Sequence, residues 1–315
     1  MRKSRFQNKV ATGKFTLPVA AVFATLLWGA EGIYTPDRLW GWVACGLTAY
    51  LWVETNNAHS LIRIRSRLTP ALYLFMAGCI FGLHPLQDGT LAALFMLASY
   101  YLLFKSYQET EAVGLLFHAF LCLGVGSVFF PQLLYFSPFY LWYAVVYLRS
   151  LTWRTLWAAI VGLALPYWFW AGYALYADGF DAFARHFLEL TRFRPISGAN
   201  YHHLDSMQVA SVGLVILFTL MAALHCLSTS FNDKIRTRML LQCLLVQEML
   251  IVAFMALQPV HLSTLTGLLV MNSAPVLSHY FALTNKRFTN ILFILFLILF
   301  TLLALMNLWT RLSIS

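Results

Sequence analysis

The sequence predicts an all-α protein: a polytopic bundle of about eleven transmembrane helices, with one amphipathic interfacial helix in a long outer loop. Three observations lead there. Of 315 residues, 60% are hydrophobic and 10% charged, against roughly 25% charged in an ordinary soluble chain, and mean hydropathy is +0.71. The apolar residues fall in runs approaching the ~20 needed to cross a bilayer. Lys and Arg concentrate in every second connection, as they do in the cytoplasmic loops of multi-pass proteins.

The spans follow from the apolar runs in chain order: 15–34, 39–53, 70–84, 90–104, 112–130, 133–148, 155–176, 207–228, 239–257, 262–284 and 289–310. Residues 1–14 form a basic cytoplasmic segment, and the first run is long for a signal peptide, so it reads as a retained signal-anchor helix. Phe130, Pro131 and Gln132 alone separate the fifth and sixth spans. That pair is either a tight hairpin or one bent helix, and the latter gives ten spans. The connections are too short for a further globular unit, and 1–315 reads as a single membrane domain.

With the N-terminus inside, sixteen of the 21 basic residues fall in inner segments, and Arg38, Arg185, Arg192, Arg194 and Arg311 fall outside. This sets the expected location as the bacterial inner membrane, N-terminus cytoplasmic and C-terminus periplasmic. The net charge of +9 is thereby explained as a topology signal, not as a nucleic-acid signature. The five cysteines lie in apolar runs without metal-like spacing, so neither a disulfide framework nor a zinc site is expected.

The one long connection, 177–206, is outside. Phe180, Phe183, Ala184, Phe187 and Leu188 recur at helical spacing along one face, with Asp181, Arg185 and Glu189 along another, able to pair. Asp178 is the expected N-cap. Such a helix lies in the membrane–water interface.

Polar groups at membrane depth are functional candidates because they are costly there. Glu248 sits mid-span, and His118 and His279 are the other intramembrane ionisable groups, each a possible partner for it. Asn272 and Ser273 precede Pro275, which is expected to interrupt the tenth span and free backbone carbonyls. On the outer face, Glu31 and Asp37 are candidate catalytic carboxylates. Arg185, His186, Arg192 and Arg194 are candidate phosphate-binding groups through charge-assisted bonds. No companion motif turns His202, His203 and Asp205 into a metal site, and no motif implies a cofactor. Gly78 and Gly82 form a G-x-x-x-G in the third span, a close-packing pattern. Arg63, Arg65 and Arg67 in the second inner connection are expected to anchor topology and meet anionic headgroups.

Several blocks resemble an uncharacterised family of multi-pass inner-membrane proteins from Bacteroidota: Asn56-Asn57 through Arg67; Phe136 to Trp142 continuing to Ser150–Arg154 and Gly162–Tyr167; and Ala274–Tyr280 with the Lys286-Arg287 turn. The resemblance implies compartment and taxon. A looser similarity is to polytopic glycosyltransferases that use polyprenyl-linked sugars, which carry an acidic residue in the first outer loop, where Glu31 and Asp37 lie. That loop is short here, about four residues.

Three functions fit these residues. The first is envelope biogenesis, handling a lipid or lipid-linked glycan with membrane lipids and a polyprenyl-linked substrate as partners. The second is a proton-coupled transporter or flippase using Glu248. The third is a non-enzymatic subunit of a membrane complex.

Overall fold

The computed structural model describes residues 5–177, 179–193, 201 and 204–312. Among them every regular element is helical and no strand occurs. Thirteen α-helices follow one another: α1 (Phe6–Thr12), α2 (Thr16–Glu31), α3 (Pro36–His59), α4 (Leu68–Cys79), α5 (Asp88–Lys105), α6 (Val113–Phe129), α7 (Ser137–Val146), α8 (Trp153–Tyr176), α9 (Phe180–Thr191), α10 (Ser206–Thr229), α11 (Ile235–Leu257), α12 (Leu262–Leu283) and α13 (Arg287–Leu312). Each apolar run has become a helix, α9 lies where the amphipathic pattern predicts it, and α1 is an addition.

Among the described residues, five helices are long and apolar enough to cross a membrane: α8, α10, α11, α12 and α13. The bent pair α1–α2, with 93° between its parts, raises this to six if counted as one span. Helix α4 is apolar but has 12 residues, about 18 Å against a hydrocarbon core of about 30 Å. The sixth expected span is divided between a 3-10 turn over Pro131–Phe136 and the ten-residue α7. Pro131 and Pro138 favour these starts, because the first turn of a helix has no use for an amide hydrogen.

The chain forms two compact units, residues 1–90 with 198–315, and residues 91–197. In the first unit α12 is the central helix and packs against α4, α10 and α11. Nearly all of it is buried, which accounts for its apolar character on every side. Pro275 lies inside α12 without ending it. Of the two glycines in the third run, Gly78 packs against the α2 backbone at Ala24, whereas Gly82 has open space beside it and lies beyond the end of α4.

The helix ends of this unit gather at two opposite poles. At one, Arg5 donates to the Asn285 carbonyl at 2.6 Å, Ser66 to Ala11 at 2.5 Å, Thr237 to Ser60 at 3.4 Å and Arg63 to Asn232 at 2.8 Å. At the other, Trp28 donates to the His84 carbonyl at 3.2 Å, Leu86 N–H to Asp37 at 2.8 Å and Ser263 to Gln87 at 3.1 Å. Among the described residues, the first pole carries Arg5, Lys9, Lys14, the three arginines 63, 65 and 67, the α11 start and Lys286-Arg287, and the second carries Arg38.

In the second unit α6 and α8 pack closely because small residues face each other. A Cβ on Gly162 would strike the Phe117 carbonyl, and one on Gly124 would come within 2.7 Å of the Leu163 carbonyl. Tyr100, Phe120 and Tyr140 form a fully buried aromatic group beside this pair.

Candidate functional site

The most developed site lies at the cation-rich pole of the first unit. Helix α3 ends at Ser60, whose φ of 51° and ψ of 49° are left-handed, a conformation a non-glycine residue adopts at a cost of order 1 kcal/mol. The turn releases the chain into an irregular stretch, bent over residues 62–64, in which Ile62 and Ser66 are buried while Arg63, Arg65 and Arg67 are exposed. All three arginines line one recess.

These arginines, Asn56, Asn57 and Lys234 line a recess of about 510 Å³, and no carboxylate is among its lining residues. Asn56 donates to the Ser66 carbonyl at 3.2 Å, and its buried Oδ1 has no hydrogen-bond partner among the described residues. The amino-terminal turns of α4 and α11 border the same recess, adding positive dipole ends. Lys234, Arg236 and Arg238 crowd the start of α11, which has no acidic residue in its first turn. Cations there oppose the helix dipole, so local stability does not explain them. The arrangement suits a multiply charged oxyanion, for which arginine supplies paired donors.

Behind the recess stands a charged chain. Arg63 Nε lies 2.9 Å from Asp233 Oδ1, and His279 Nε2 lies 3.1 Å from Asp233 Oδ2. The Asp233 and His279 side chains are buried. Asp233 thus fixes Arg63 at the recess wall from behind. His279 sits near the carboxyl end of α12, so its partner is Asp233 and not the mid-span carboxyl. Asp233 carries no sequence motif and went unrecognised. Its one visible signal is an acidic residue directly before the basic start of α11.

The other predicted residues are dispersed. Glu248 is buried between α11 and α12, where Ser273 donates to Oε1 at 2.5 Å and Asn272 to Oε2 at 2.6 Å. Asn272 also donates to the Leu244 carbonyl at 2.9 Å. Both carboxyl oxygens are engaged, and Glu248 lines neither this recess nor the polar one at the opposite pole. His118 is exposed on α6, with Nδ1 2.6 Å from the Gly114 carbonyl one turn earlier.

Glu31 is tied to Arg38, 3.7 Å away, and to the His84 ring, whose Nε2 lies 3.0 Å from the Gly78 carbonyl. Trp28 stacks on that ring at 3.8 Å. Both ring nitrogens and the carboxyl are thus engaged in joining α2, α3 and α4. Asp37 is exposed in the first turn of α3. The opposite pole also holds a polar recess of about 480 Å³, lined by Asp205, Gln208, Ser263, Thr266 and Asn307 among others.

In the second unit α9 turns a face inward that is shifted from the purely apolar stripe. His186 is buried, its Nε2 lies 3.3 Å from Tyr167 OH, and Trp170 and Phe187 surround it. Burial pushes its basicity down from the usual imidazole range, with the Glu189 charge opposing in part. His186 is therefore not on the exposed side with Arg185 and Arg192. Arg185 donates to its own helix at the Asp181 carbonyl, 3.2 Å away, in place of a side-chain ion pair. Arg194, His202, His203 and Asp178 lie outside the described residues.

No group of three metal-ligating side chains occurs among the described residues. Comparison with protein-family models, with curated proteins and with solved structures finds no match. The chemistry of the site is therefore read from its residues alone: a basic, cavity-lining cluster held by a buried carboxylate.

Proposed function

We propose that the chain is an inner-membrane protein that binds the phosphate head of an anionic lipid or lipid-linked glycan, in the service of envelope biogenesis, with the Arg63, Arg65 and Arg67 recess as its headgroup site. The observation that carries this reading is a recess of about 510 Å³ walled by four cations and no carboxylate. Cations spread for topology alone need no cavity and no buried aspartate bracing one of them. The unequal charge of the two poles supports a cytoplasmic N-terminus, which turns the recess toward the cytoplasmic leaflet. On that orientation α2 to α8 and α10 to α13 make eleven passages, the short ones shielded by their neighbours. The likeness to Bacteroidota inner-membrane proteins belongs to the same reading.

The test uses the detergent-solubilised chain and a fluorescent short-chain polyprenyl phosphate, with the neutral polyprenol as control. Arg65→Gln with Arg67→Gln is expected to weaken phosphate binding by ten- to a hundredfold, since each cation near an anionic head contributes on the order of 1 kcal/mol and tenfold is about 1.4 kcal/mol. Polyprenol binding is expected to stay unchanged. Equal affinity of the wild-type protein for phosphate and alcohol would overturn the assignment.

A further inference from the structure

A second surface of the same unit has the shape and charge of a lipid-binding groove. Helix α1 meets α2 at 93°, and the corner leaves an open channel of about 630 Å³ between α1, α2, α4 and α13. Phe23, Leu72, Phe75, Phe293 and Leu297 line its length. From Phe293 to Thr301 the channel follows α13 for about 12 Å, a length that takes roughly half of one extended acyl chain. Phe15 and Val19 at its mouth are exposed.

Two features say what covers this apolar wall. Lys9 and Lys14 both stand at the α1 end of the channel, both exposed, and no carboxylate lines it. The corner is also fixed in place. Gln7 is fully buried and donates to Phe281 and, at 2.9 Å, to Thr284 Oγ1, while Gln7 N–H donates to Asn290 at 3.0 Å. The groove is thus a formed feature whose cationic mouth and apolar body match an anionic amphiphile. A zwitterionic lipid sets its own choline cation beside the phosphate and so offsets the two ammonium groups less.

We infer that this groove holds one acyl chain of an anionic diacyl phospholipid, with Lys9 and Lys14 on its phosphate, as a site separate from the headgroup recess. The inference does not rest on the proposed function, because the two sites share no lining residue.

The full chain is exchanged into nanodiscs containing phosphatidylglycerol or phosphatidylcholine, then released and weighed by native mass spectrometry. Wild-type protein is expected to keep one phosphatidylglycerol at several-fold higher occupancy than phosphatidylcholine. Lys9→Gln with Lys14→Gln should bring the two to equality. Val19→Trp, placed at an exposed groove position, should lower phosphatidylglycerol retention with both lysines present. Arg65→Gln with Arg67→Gln should leave retention intact, which separates this site from the recess. Equal retention of both lipids by the wild type, or retention insensitive to both groove variants, overturns the inference. So does a chain dimer that Val19→Trp dissociates, since the groove would then be an interface between copies.

Discussion

Two side-chain chains in this protein each end on a buried histidine, and they hold it by opposite means. In the first unit, Arg63, Asp233 and His279 form a charged chain at a helix boundary. In the second, Ser127, Tyr167 and His186 form a neutral one between α6, α8 and α9, with 2.7 Å from Ser127 to Tyr167 and 3.3 Å from Tyr167 to His186. The charged chain braces an arginine that faces a cavity, and the neutral one fastens an amphipathic helix to its neighbour. A buried carboxylate paired with an arginine of an open basic recess marks a ligand site more strongly than a buried polar chain that consumes its own hydrogen bonds. Glu248 belongs with the neutral kind: its two donors, Ser273 and Asn272, are uncharged, and it lines neither the arginine recess nor the polar one at the opposite pole.

The sharpest way to break the comparison is to delete the middle link of each chain. Asp233→Ala leaves Arg63 without its carboxylate and His279 without its acceptor. Arg63 is exposed and stays hydrated, whereas buried His279 loses its acceptor, so the expected loss is about 1–3 kcal/mol, read as a drop in the thermal unfolding midpoint in detergent. Tyr167→Phe removes one hydroxyl from the neutral chain, and Ser127 keeps its 2.7 Å bond to the Gly124 carbonyl. The expected loss is about 1 kcal/mol, the net worth of one hydrogen bond. Equal losses in the two variants would erase the distinction between a charged and a neutral chain.

The helices were legible in the sequence because each apolar run is closed by polar or proline residues; their edges fall within four residues of the observed ones except where α3 runs six residues past its expected end and α4 stops five short. The number that cross was less legible. Run length and hydropathy do not say whether a 12-residue helix such as α4 is buried by neighbours. The site divides in the same way. Arg63, Arg65 and Arg67 stood out as a basic connection in the sequence. Their brace did not, because Asp233 and His279 are 46 positions apart and meet only once α12 has packed beside the start of α11. His186 was misplaced for a local reason. Grouping by hydrophobicity left it off the apolar stripe of α9, yet an imidazole among Trp170, Phe183 and Phe187 is the residue that α9 buries most deeply.

The smallest expected effect concerns the histidine of the neutral chain. Ser127 spends its proton on the Gly124 carbonyl, so Tyr167 donates to Ser127 and accepts from His186 Nε2–H. Burial pushes the pKa of His186 below the ordinary 6.5, with the Glu189 charge and the Ser127 backbone opposing in part. The unfolded chain then binds more protons than the folded one between the two values, so stability rises with pH in that window. The contribution of His186 is complete above about pH 6.5 and declines as the pH falls through and below that value. His186→Gln keeps a donor toward Tyr167 without a titrating group. The unfolding midpoint of the wild type minus that of His186→Gln, followed from pH 8 to pH 5, should therefore fall on acidification. A difference that is flat, or that rises toward acid, would mean that His186 carries its proton in place.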